Sequence, residues 1–123
     1  MFKPADVVRF HSIVANKKKY HLCLNLNGKF LLINSPKSKI FRGDFVVSCS
    51  EIDCLPPTES GKSVISCSLL ISMTDAELKH LKAEKIGSVS FGLLRRLTMF
   101  VEGSPVLSAE DKDAIIAQME DVI

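Results

Sequence analysis

Residues 17–36, KKKYHLCLNLNGKFLLINSP, decide how this chain is read. Two β-prone runs flank Asn27-Gly28, and such a pair is the strongest short-range hairpin signal, because a type I′ turn needs positive φ at both central residues. With Leu26 and Lys29 flanking the turn, Leu24 faces Leu31, Leu22 faces Ile33, Cys23 faces Leu32, His21 faces Asn34 and Tyr20 faces Ser35. That register gives the hairpin one apolar face and one mixed face. Three consecutive lysines, Lys17, Lys18 and Lys19, stand at its open end.

Upstream, Ala5-Asp6-Val7-Val8-Arg9-Phe10-His11 reads as a first strand after Pro4, and residues 12–19 as a loop. Downstream, Pro36 ends the hairpin because proline cannot continue a central ladder. A basic connection over 37–44 then leads to a strand, Phe45-Val46-Val47-Ser48-Cys49. Pro56-Pro57 and Gly61 mark residues 55–61 as irregular, and residues 63–71, SVISCSLLI, form a further strand. Five strands with short links and no intervening helix predict an antiparallel sheet curled into a small barrel, since parallel pairing needs crossovers that are missing here.

From Met73 the periodicity changes. Thr74-Asp75-Ala76-Glu77 has the form of a capping box, and Leu78, Leu81 and Ile86 supply an apolar stripe that Gly87 ends. A second helix starts at Ser90, places Leu93, Leu94, Leu97, Phe100 and Val101 on one side, and breaks at Gly103-Ser104-Pro105. Ser108 caps a third helix, with Ile115, Ile116, Met119, Val122 and Ile123 as its apolar side. The expected fold is α+β, a small antiparallel β-barrel of about five strands followed by two to three C-terminal helices. Residues 1–103 hold the barrel and its packing helices; residues 104–123 add an acidic C-terminal helix packed on the same domain.

At 123 residues, with 46% hydrophobic and 24% charged side chains, the composition is that of one ordinary globular domain able to bury a core. No apolar run approaches the roughly 20 residues that span a bilayer, and the first residues lack a signal-peptide pattern, so a cytoplasmic protein with no membrane partner is expected. Cys23, Cys49, Cys54 and Cys67 lack the paired short spacings of a zinc site; they read as small apolar strand residues, with no cofactor expected. Charge is unevenly spread. The first 42 residues carry nine basic side chains against Asp6 alone, a net +8, so the overall +2 leaves −6 for the rest. Clustered lysine and arginine attract phosphates through counterion release, and a basic front of this kind points to an anionic partner.

The order of these elements resembles the MazF/PemK family of toxins. The family opens with a Gly-Asp-Ile/Val-Val strand, matched by Ala5-Asp6-Val7-Val8. A strand introduced by Arg-Pro corresponds to Lys19-Tyr20-His21-Leu22-Cys23-Leu24, and a strand ending in Thr or Ser to Leu31-Leu32-Ile33-Asn34-Ser35. Gly87-Ser88-Val89-Ser90, leading into Leu93, Leu94 and Leu97, fits the family's final turn and leucine-spaced helix. The resemblance implies an SH3-like barrel acting as a dimeric, metal-independent endoribonuclease on single-stranded RNA, regulated by a cognate antitoxin. It sets Lys19 and Ser35 at the scissile phosphate; on this reading the basic residues Lys17, Lys18, Lys37 and Arg42 bind the RNA backbone.

Lys19-Tyr20 stands where the family has Arg-Pro, and lysine lacks the planar fork that grips a phosphate through two hydrogen bonds. Whether catalysis survives is therefore open. By spacing alone, His21 is the candidate for proton transfer, and Tyr20 could stack on a base. The alternative is a non-catalytic barrel of the same fold that binds nucleic acid or a protein.

Overall fold

The computed structural model describes residues 2–24, 28–35 and 40–122. Its strands are β1 (Asp6–Ser12), β2 (Lys17–Cys23), β3 (Lys29–Asn34), β4 (Asp44–Ser48), β5 (Lys62–Ser72) and β6 (Glu84–Ser88). A one-turn 3-10 helix (Cys49–Ile52) follows β4, and the α-helices are α1 (Asp75–His80), α2 (Phe91–Glu102) and α3 (Ala109–Val122). The α+β class and the antiparallel pairing are as expected. The sheet, however, has six strands in the order β4-β5-β3-β2-β1-β6, and it is open: β4 and β6 stand at its two ends.

Two sequence expectations change with it. The segment expected to extend the first helix to Gly87 is instead β6, paired with β1. Helix α1 stops early because Lys82 takes a left-handed φ of 53°, and the amides of Lys82 and Ala83 turn back to the carbonyls of Lys79 and Leu78. That is a Schellman termination, and it consumes the carbonyls a longer helix would use. The lysines expected in a loop belong to β2, and only residues 13–16 connect β1 to β2.

The β2–β3 register differs from the expected one by two residues. Tyr20 pairs with Ile33, His21 with Leu32, Leu22 with Leu31 and Cys23 with Phe30. Leu24 donates its amide to the Lys29 carbonyl at 2.8 Å, so four residues, 25–28, connect the strands in place of a two-residue turn. Asn27 itself lies outside the described residues. A shift of two keeps every side chain on its expected face, so the hydrophobic pattern was satisfied equally by both registers. Gly28 is required where it stands: its φ is +76°, and a Cβ there would overlap the carbonyl of Met73, whose amide donates to Gly28 at 2.8 Å.

The sheet buries both faces. On one, Val7, Leu22, Leu24, Leu31, Ile33 and Ile65 pack under Leu93, Leu94, Leu97 and Val101 of α2, with Leu107 and Ile115 bringing in α3. On the other, Val8, Phe10, Cys23 and Phe30 pack with Met73 and with Leu78 of α1. Both long helices start as their sequences indicate: Ser90 accepts from the Leu93 amide at 3.1 Å, and Ser108 from the Asp111 amide at 3.1 Å. The side chains of Met119, Val122 and Ile123 lie outside the described residues. Between the sheet's two ends, the 3-10 helix and the segment after it fill the gap without strand pairing. Cys54 there packs so closely on Gly87 of β6 that any Cβ at Gly87 would collide with it.

Candidate functional site

Strand alternation and register build the site in rows. On the α2 face, one row crosses four strands as Arg9, Tyr20, Ile33 and Ile65. The next row outward begins with the pair His11 and Lys18. Carried one step past Tyr20–Ile33 and Asn34–Val64, the same registers set Ser35 opposite both Lys18 and Ser63. Directly opposed residues on one face have Cβ atoms about 5 Å apart, so these side chains are neighbours.

Helix α2 does not cover this outer row. The segment between the 3-10 helix and β5 folds over it instead, held by the Leu55 amide on the Ile52 carbonyl at 3.1 Å and the Thr58 hydroxyl on the Lys62 carbonyl at 2.7 Å. The space between is a cleft of about 330 Å³. Tyr20, Ile33, Leu55, Pro56 and Pro57 give it apolar walls. Lys17, Lys18, Asn34, Ser35, Thr58 and Ser63 supply its polar groups. Lys17 and Lys18 are exposed at the rim, whereas Ser63 is only 3% exposed. The Arg9 guanidinium lies 6.0 Å from the centre of the Tyr20 ring, a cation over the aromatic face of a cleft residue.

Among the residues singled out from sequence, Lys17, Lys18, Lys19, Tyr20 and Ser35 all border this cleft. Lys19 reaches it from the strand it belongs to, but pairing with Phe10 directs its side chain to the other face of the sheet. Arg42 is exposed in the segment before β4 and does not border the cleft; Lys37 lies outside the described residues.

His21 is the clearest departure from expectation. It is fully buried on the α1 face, stacked on Phe10 with ring centroids 3.7 Å apart and an 8° interplanar angle, and edge-on to Phe30. Neither ring nitrogen has a partner in hydrogen-bond geometry. Desolvation lowers its pKa from 6.5 to about 4; the nearby backbone of Val8 and of Lys19 offsets part of this, and the Lys19 charge adds to it. A neutral imidazole sealed behind the sheet cannot pass protons to a group in the cleft. The same alternation that places Tyr20 in the cleft removes His21 from it.

The cysteines do not form a reactive centre. Cys23 and Cys67 are buried and in no disulfide, and burial together with Asp44 pushes the Cys67 thiol up to about 12. Burial also raises the pKa of Cys54, beside Gly87. Among the described residues, no three His, Cys, Asp or Glu side chains are placed to hold a metal ion, and no helix is long and apolar enough to cross a membrane.

Ser63, Pro56 and Pro57 of the cleft lining went unread in the sequence, as did Arg9 beside Tyr20. Arg9 was accessible in principle, because pairing β1 with β2 sets it beside Tyr20. Ser63 sits in a run, SVISCS, that spells only strand. No known protein family, curated protein or solved structure matches this chain.

Proposed function

We propose that the protein binds single-stranded RNA in the cleft between β2, β3 and the segment before β5. The observation that carries this is the meeting of Lys17, Lys18, Tyr20 and Ser35 at one concavity with an apolar wall. Lysines at a rim attract phosphates, and an aromatic ring beneath them accepts an unstacked base. A duplex, whose bases are already stacked and whose surface is convex, has no means of entering 330 Å³. An acidic peptide would use the lysines but would leave the Tyr20 and proline walls without a flat partner.

The resemblance to MazF/PemK toxins extends this to cleavage. In that extension, Ser35 donates a hydrogen bond to the scissile phosphate and Lys18, in its row, stabilises the charge that builds there. The SH3-like barrel, a homodimer and a cognate antitoxin come with the same resemblance; the antiparallel pairing supports that reading only at the level of the α+β class. His21 has no part in it. The test is incubation of the purified protein with a long unstructured RNA in excess chelator, beside Ser35→Ala. Cleavage that resists chelator and falls at least roughly tenfold in the variant supports the nuclease. RNA that is bound but left intact by both proteins removes catalysis and leaves the binding module.

A further inference from the structure

Ser63 has a feature that RNA-backbone binding does not explain. Its side chain borders the cleft and is 97% removed from solvent, yet its hydroxyl makes no hydrogen bond to any described residue. Among the described residues the buried side-chain nitrogen and oxygen atoms without a partner are those of His21, so the Ser63 oxygen keeps the little exposure its residue has and can take a partner from a molecule bound in the cleft it lines. Its surroundings limit what that partner can be. Ser63 precedes Ile65 by two residues on the same face of β5, next to the Tyr20–Ile33 row and beneath the Leu55–Pro57 wall. A phosphate drawn that deep would lose its water among apolar side chains while the ammonium groups of Lys17 and Lys18 stay at the exposed rim. A planar, largely apolar group with polar edges meets both requirements.

We infer that the floor of the cleft is a subsite for one unstacked nucleobase, held flat against the Tyr20 and proline walls, with its polar edge hydrogen-bonded to the Ser63 hydroxyl. This rests on the RNA-binding function proposed above and adds the part of RNA that is read. The phosphates stay at the rim on Lys17 and Lys18. Serine hydroxyls donate or accept, so Ser63 distinguishes bases by the group each presents at that depth, and it is a specificity-determining residue rather than a catalytic one.

The probes are short fluorescein-labelled U, C and A homopolymers and an abasic ribose-phosphate strand of equal length and charge, measured by anisotropy. The wild-type protein is expected to bind its preferred homopolymer at least roughly fivefold more tightly than the abasic strand, from stacking alone. Ser63→Ala should shrink the spread among the three homopolymers by roughly three- to tenfold and leave the abasic affinity unchanged. Ser63→Thr, which restores the hydroxyl, should recover the spread, separating the loss of a contact from damage to the fold. Equal affinity for base-bearing and abasic strands overturns the subsite while leaving an anion-binding cleft in place. A spread that survives Ser63→Ala also overturns it. If no strand binds, abasic included, the RNA function itself falls and the subsite with it.

Discussion

His21 and Ser63 are both polar residues buried in strands, and their difference lies in what they face. His21 is enclosed by Phe10 and Phe30, and only its neutral form fits there. Its folded-state pKa, near 4, lies below the 6.5 of an unfolded histidine. Between these values the unfolded chain binds the extra proton, so stability is fully present above about pH 6.5, falls as the pH drops towards 4, and levels below that. The loss is on the order of 3 kcal/mol. His21→Phe should keep the ring stack and flatten this part of the curve, as read from urea midpoints at successive pH values. A variant that loses stability between pH 6.5 and 4 as steeply as the wild type would show that His21 does not carry the acid response. Its spacing next to Tyr20 made His21 look like a site residue; only its face, fixed by pairing with Val8, shows that it is core. Ser63 was illegible for the converse reason, since nothing in a serine-rich strand marks which hydroxyl lacks a partner.

At the scale of elements, the helix starts and the end of α2 at Gly103 were read from the sequence, whereas the end of α1 was not. Thr74, Ser90 and Ser108 each accept the amide their capping pattern calls for, because a cap depends on a local side chain. The end of α1 depends on backbone geometry that its sequence does not announce. Lys82 occupies the left-handed position where glycine is preferred, while Ala83 and Leu78 pack together across the turn. Lys82→Gly should relieve that backbone cost and raise stability by about 1 kcal/mol, seen as a higher urea midpoint at unchanged slope. An unchanged or lower midpoint would mean that the turn is not under strain. Missing that termination is what concealed β6, whose charged EKIGS has no alternating pattern and becomes a strand through pairing with β1. The hairpin was legible as to faces and not as to register, because a slip of two residues leaves the hydrophobic alternation intact.

Across the whole molecule, the sheet ends at β4 and β6, and the 3-10 helix with its following segment fills the space between them. An ion pair between Glu51 of the 3-10 helix and Arg96 of α2 joins this filler to the helical layer. The same segment, continuing through Pro56 and Pro57, becomes the far wall of the cleft, so the feature that replaces strand closure also makes the site. The uneven charge seen in sequence acquires a location here: Lys17 and Lys18 line the cleft and Arg9 lies over the ring of its Tyr20 wall, while the acidic C-terminal helix packs through Ile115 into the core on the same face of the sheet. The most direct test is the salt dependence of single-stranded RNA binding for the wild type and for a Lys17→Gln, Lys18→Gln double variant. With both lysines on phosphates, wild-type affinity should fall linearly with log salt, and the variant should bind more weakly with a slope shallower by roughly 1.4, two contacts at about 0.7 each. Absence of RNA binding, or equal slopes for the two proteins, would contradict the assignment of this cleft to RNA.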